Sequence, residues 1–184
     1  MPESRTDRFD RLVAPHLDTL LRVAFRLVRN APDAEDLVQD TCIAACEHPA
    51  DVDAATQPVH WLLRVLHNRF LDRTRQQRRR PQVPIDDADR ETPLVCGAPG
   101  PEEILLRSES ERALEAAYLK LEDMQRTLLV LRTEGYGLSE IEAITGIQKE
   151  VLRARLHRAR RSLARHLQRG EESAPLMLNA RRRT

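Results

Sequence analysis

The chain has 184 residues, 41% hydrophobic and 32% charged, with 3% aromatic. That length suits one ordinary domain or two small ones, and a core so poor in aromatics favours helices built on Leu, Val, Ile and Ala over a β-sandwich. The net charge of +1 hides blocks of opposite sign. Residues 31–58 carry Asp33, Glu35, Asp36, Asp40, Glu47, Asp51 and Asp53 and no Lys or Arg, whereas residues 149–169 carry Lys149, Arg153, Arg155, Arg158, Arg160, Arg161, Arg165 and Arg169 against the single acid Glu150. Such blocks bear on partners more than the sum does. Lys120 and Lys149 are the only lysines, a bias that suits phosphate or guanine recognition and equally fits a GC-rich genome. The polar N-terminus, the absence of a long apolar run and an odd set of cysteines (Cys42, Cys46 and Cys96) argue against a membrane span and a disulfide framework, and for the cytoplasm.

In chain order, Leu17, Leu20, Leu21, Ala24, Leu27 and Val28 recur at helical spacing and predict a helix over about 15–28. Asn30-Ala31-Pro32-Asp33 breaks it and starts a second, over about 33–47, with Ala34, Leu37, Val38, Thr41 and Ala45 inward and Glu35, Asp36 and Asp40 outward. His48-Pro49 ends it and a polar loop over about 50–58 follows. A third helix over about 59–79 has Trp61, Leu62, Val65, Leu66 and Phe70 on its apolar side and a densely basic end. Residues 81–104 form a Pro-rich segment without visible period, expected to be a flexible linker.

A second helical module begins near Glu102. Ile104, Leu105, Ala113, Leu114, Ala117, Leu119 and Leu121 predict one long helix, and Leu128, Leu129 and Leu131 another. Ser139 to Thr145 reads as a short helix with a capping box from Ser139 to Glu142; Gly146 is a turn, and a long basic helix follows over about 148–168. Residues 170–184 are expected to be a disordered basic tail. The predicted fold class is therefore all-α: two small helical domains, at 1–80 and 105–169, joined by a flexible linker.

Short helix, glycine turn and long basic helix make a helix-turn-helix. Ile141 and Ile144 can meet Leu152 and Leu156, with Ile147 sealing the corner, which leaves Arg153, His157, Arg158, Arg160 and Arg161 for solvent or DNA. Glu142 stands where the two helices pass closest, and a pairing with Arg155 is one way to accommodate it. Cys42 and Cys46 lie four apart on one helix; two ligands complete no metal site, and small buried core residues are the better reading. No phosphate-cradling loop, nucleophile elbow or metal set is visible, so neither an enzyme nor a cofactor or small-molecule substrate is expected.

Three strings carry a resemblance. Asp33-Ala34-Glu35-Asp36-Leu37-Val38-Gln39-Asp40-Thr41, then Trp61-Leu62-Leu63-Arg64-Val65-Leu66-His67-Asn68-Arg69 with Asp72 and Arg75, and finally Glu140-Ile141, Gly146-Ile147 and Arg155-Leu156-His157-Arg158-Ala159-Arg160 resemble, in order, regions two and four of extracytoplasmic-function (ECF) sigma factors. The resemblance implies a region-two bundle at 1–80 and a region-four helix-turn-helix at 105–169. It implies docking on core RNA polymerase through Asp36, Gln39 and Asp40. It also implies minus-ten element contacts by Arg64, Asn68, Arg69, Asp72, Arg75, Arg78 and Arg79, with Trp61 mainly packing. For the minus-thirty-five element it implies Arg153, Ala154, His157, Arg158, Arg160 and Arg161. Val151, Ala154 and Gln148 depart from the usual hydroxyl residues. Promoter DNA and an anti-sigma factor are the further partners implied, and no metal or membrane insertion. A helix-turn-helix regulator without sigma activity, or a sigma-like interaction protein, are the alternatives.

Overall fold

The computed structural model describes the backbone of residues 4–79 and 101–180, with side chains at 4, 6–79 and 110–169. Among the described residues there are nine α-helices and no strand. The first half comprises α1 (Arg5–Leu12), a short 3-10 turn at Ala14–His16, α2 (Leu17–Val28), α3 (Ala31–Glu47), α4 (Pro49–Ala54) and α5 (Pro58–Arg79). The second comprises α6 (Pro101–Leu119), α7 (Asp123–Thr133), α8 (Leu138–Thr145) and α9 (Lys149–Ala180).

Local chemistry explains the boundaries. The Asn30 side chain caps α3 by accepting from the Asp33 amide at 3.0 Å, with Pro32 in the first turn where its missing N–H costs nothing. The left-handed Arg29 (φ 57°) ends α2 and turns the chain between the two. Gly146, at φ 72°, ends α8 in the conformation that glycine adopts without penalty and so makes the corner of the helix-turn-helix.

Four expectations are corrected. Two helices were missed. Helix α1 is capped by Ser4, whose Oγ accepts from the Asp7 amide at 3.1 Å, and the expected loop at 50–58 contains α4, which Pro49 opens. Each carries too few apolar residues to show a period; Arg11 holds them together, its guanidinium 3.0 Å from Asp53. The cap of α8 is at Gly137 and not Ser139: the Glu140 carboxylate accepts from the Gly137 amide at 2.6 Å. Residues 101–104 of the expected linker are helical, since Pro101 suits a first helical position; 81–100, with Cys96, lie outside the described residues. Helix α9 continues through Gly170 to Ala180, where disorder was expected: Glu171, Glu172, Ala174, Leu176, Met177 and Leu178 are good helix formers that outweigh Gly170 and Pro175.

The two halves share one core. Leu20, Leu27, Leu37, Leu62, Leu66 and Phe70 from the first half and Leu128, Leu131, Ile141, Ile144 and Leu152 from the second are buried in one continuous cluster. Helix α5 is the strut between them. Its Leu62–Leu66–Phe70 side is buried, and so are Leu63 and His67, on the flank that meets α7 and α8. The His67 ring Nδ1 lies 3.2 Å from Thr127 Oγ1, whose hydroxyl donates to the Asp123 carbonyl at 3.1 Å. The Arg126 guanidinium stacks over the Phe70 ring at 5.5 Å and donates to the Leu27 carbonyl at 3.2 Å. His60 meets Tyr136 edge to face and stands 3.4 Å from Glu140.

Burial, and secondarily the charge of Arg75, pushes the His67 imidazole from its usual 6.5 down to about 4. A neutral buried His contributes stability in full above about pH 6.5 and loses it as pH falls toward the folded-state value. Denaturant midpoints should therefore show a loss of about 2 kcal/mol between pH 7.5 and 5 that His67→Gln removes. Identical pH slopes in the parent and the variant would contradict a buried neutral imidazole.

Candidate nucleic-acid interface

The packing leaves three polar helical faces on the outside. On α3, Ala34, Leu37, Thr41, Ala44 and Ala45 are buried, which turns Asp36 and Gln39 outward. Asp40, between them and the core, is half-buried and tied down: Arg73 Nη2 lies 2.7 Å from its carboxylate and Nη1 donates to the Asp33 carbonyl. One turn beyond Gln39 stands Ile43, 50% exposed, an apolar residue on an otherwise acidic stripe. Sequence reading missed it, because an apolar residue beside a buried stripe is naturally assigned to that stripe. Cys42 is half-buried, whereas Cys46 is exposed rather than in the core as expected, because the end of α3 is covered only partly by α1 and α4. Burial raises the Cys42 thiol pKa.

On α5 the two buried flanks dictate which residues remain. Arg64, Asn68, Asp72, Arg75 and Arg79 fall at steps of four, four, three and four and form one exposed line, with Arg69 beside it. Arg75 Nη1 is 3.3 Å from Asp72. The minus-ten residues expected from the sequence are thus brought together, except one. Arg78 points to the second half, where its guanidinium lies 2.9 Å from Asp123. Trp61 is half-buried against the core, in keeping with packing.

On α9, Leu152, Leu156 and Ala159 are buried, and Ile141 and Ile144 of α8 join them in the core, so the predicted helix-turn-helix contacts form. The opposite face presents Arg153, Ala154, His157, Arg158, Arg160 and Arg161, all exposed. Arg158 Nε reaches back to the Ala154 carbonyl at 3.4 Å, at the long end of hydrogen-bonding range. Glu142 is half-buried and, among the ion pairs of the described residues, none joins it to Arg155. A guanidinium-rich exposed helix after a glycine turn, held by an aliphatic core, can enter a major groove or grip phosphates. No helix among the described residues is long and apolar enough to cross a membrane.

Comparison with known proteins places this geometry. Residues 12–80 match the family model of sigma-70 region 2. SigE of Mycolicibacterium smegmatis, an ECF RNA polymerase sigma factor, is 35% identical over 161 residues, covering 86% of this chain; the chain spans 61% of the length of SigE. SigL of Mycobacterium tuberculosis, also an ECF RNA polymerase sigma factor, is 30% identical over 159 residues, covering 83% of this chain and 85% of SigL. Among solved structures, the fold is shared with the sigma factor RpoE of Bartonella quintana in complex with the anti-sigma factor NepR, with a TM-score of 0.65, 24% identity and coverage of 87% of this chain and 96% of that one. CnrH in complex with the cytosolic domain of CnrY is similar, with a TM-score of 0.56, 25% identity and 87% coverage of each chain. With a predicted and observed helix-turn-helix, an acidic α3 and two such relatives in sequence, the chain belongs to the ECF RNA polymerase sigma factors.

Proposed function

We propose that this chain binds core RNA polymerase through α3 and directs it to promoters read in two parts, by α5 and by α9. The observation that carries this is the separation of labour on the surface. One chain presents an acidic face on α3 and two distinct arginine-rich faces on helices of different halves. A plain regulator needs the α9 face alone.

Asp36 and Gln39 are the exposed docking groups, with Ile43 as an apolar contact at the end of the stripe. An acidic stripe ending in an apolar contact suits a basic partner helix, since charge steers the encounter and the apolar contact adds affinity. Asp40 acts by holding Arg73, so that α3 and α5 keep their angle. On α5, Arg64, Arg69, Arg75 and Arg79 supply cations to a phosphate backbone, and Asn68 offers both donors and acceptors to a base edge. Stabilising an unpaired strand by binding opens a promoter without ATP. On α9, Arg153, His157, Arg158, Arg160 and Arg161 meet the minus-thirty-five element as duplex. Ala154 can touch a thymine methyl but offers no hydrogen bond. No catalysis is involved, and the chain works where polymerase is, in the cytoplasm. A cognate anti-sigma factor is a further proposed partner, supported by the NepR and CnrY complexes of its structural relatives.

Transcription with core polymerase and fragmented genomic DNA tests the reading. Discrete starts sharing two upstream motifs are expected, with Asp36→Arg and Asn68→Ala each lowering output at least roughly tenfold through lost polymerase or base contacts. Polymerase-independent, sequence-specific duplex binding without such starts would instead support an ordinary regulator. The division of labour on α3 has its own check, in urea denaturation. Asp40→Asn should cost about 0.5–1 kcal/mol, as expected for a partly exposed pair, and Asp36→Asn close to nothing. Equal effects would deny Asp40 its structural role.

A further inference from the structure

The arginine–carboxylate pairs described across the seam between the halves share one polarity. The first half supplies the guanidinium and the second the carboxylate: Arg22 and Arg26 on Glu134, Arg29 on Glu115 at 3.1 Å, and Arg78 on Asp123. Glu134 is the centre of this arrangement. Arg22 Nε donates to its Oε2 at 2.7 Å, and Arg26 Nη1 lies 2.8 Å from its Oε1. The Glu134 side chain is 5% exposed, yet Arg22 and Arg26 keep 49% and 42% of theirs. The anion is thus buried in a cradle whose walls still face solvent.

The fit is incomplete. Oε1 is buried and accepts no aligned hydrogen bond, and Arg26 Nη1 donates to Thr133 Oγ1 at 3.3 Å. With the Arg26 charge 2.8 Å away, what Oε1 lacks is an aligned N–H and not an opposite charge. Two guanidiniums one turn apart, each addressing a separate oxygen of one anion, form a site better suited to a group with more oxygens, such as a phosphate. Arg29 follows just past the end of α2, where its left-handed backbone turns the chain and its guanidinium lies over the Phe25 ring.

We propose that Arg22 and Arg26 form a second phosphate-binding site of the first half, apart from the exposed lines on α5 and α9, and that Glu134 is its built-in competitor. When the second half moves off, the site takes a phosphate of a nucleic-acid backbone. The same movement frees Arg29 and Arg78, so the cations released lie along α2, just past its end and at the end of α5. A line of single guanidiniums suits a regularly repeating anion better than an acidic polypeptide with irregularly spaced carboxylates. The closed seam therefore screens the first half from stray nucleic acid. The inference rests on the proposed promoter binding only for the source of the phosphate.

Fluorescence anisotropy of the full chain with labelled oligothymidylate, over a salt series, tests this. Glu134→Gln should bind roughly three- to tenfold tighter than the parent, with a salt dependence steeper by about 0.7 per phosphate engaged. Glu134→Asp, which keeps the charge, should behave as the parent. Adding Arg22→Ala and Arg26→Ala to Glu134→Gln should remove most of the gain in both affinity and slope, whatever remains being the share of Arg29 and Arg78. An unchanged Glu134→Gln overturns the proposal. So does a gain that survives the arginine replacements in full, which would trace it entirely to other cations exposed by opening. An equal gain for polyglutamate would assign the site to acidic polypeptides instead. None of these variants enters the transcription assay above, so the sigma-factor reading can fail or stand separately.

Discussion

Everything in this molecule leans on α5 being buried along two flanks. Its Leu62–Leu66–Phe70 side closes the first half, and its Leu63–His67 side receives α7 and α8 of the second. Burying a histidine is acceptable only because Thr127 meets its Nδ1 and the ring stays neutral. Removing the second half would leave Leu63 and His67 facing water. Burying both flanks confines the exposed surface over most of α5 to a narrow strip, and Arg64, Asn68, Asp72, Arg75 and Arg79 run along it. The packing constraint and the proposed reading surface are consequences of the same geometry.

The seam is mixed in character. Leu63, Leu128, Leu131 and Ile141 supply apolar area, the dominant favourable contribution. Around it lie arginine–carboxylate pairs at partly exposed positions, worth little individually and weakened by salt. A contact of this kind holds two small domains together without making them inseparable. That matches the proposed function, in which α5 and α9 meet DNA elements set apart along a promoter. One of these pairs holds Arg78, which the resemblance groups with the other arginines of α5 and which the structure, while leaving it largely exposed, ties to Asp123.

Much of the fold was legible in the sequence because five helices carry apolar periods. Leu20, Leu37, Leu62 and Leu66 mark α2, α3 and α5, and Ile141, Ile144, Leu152 and Leu156 mark the helix-turn-helix; all are buried. What escaped has a physical cause in each case. Helices α1 and α4 are short and held by the cap at Ser4 and by Asp53, so no apolar period announces them. The second flank of α5 is invisible to a hydrophobic period because its central residue is a histidine, polar in sequence and buried only by a partner from the other half. The site residues were legible as types, by resemblance, but not their pairings. Asp40 with Arg73 and Arg78 with Asp123 join residues 33 and 45 positions apart, which no local pattern encodes.

The proposed function requires the chain, which by itself is closed along α5, to open on polymerase so that α5 and α9 come apart. A pulsed dipolar measurement between spin labels at Gln76 on α5 and Lys120 after α6, in a background without the native cysteines, reads this directly. The account predicts one short, narrow distance in the free chain that lengthens when core RNA polymerase is added. A long, broad distribution in the free chain, or a short distance unchanged by polymerase, would contradict it.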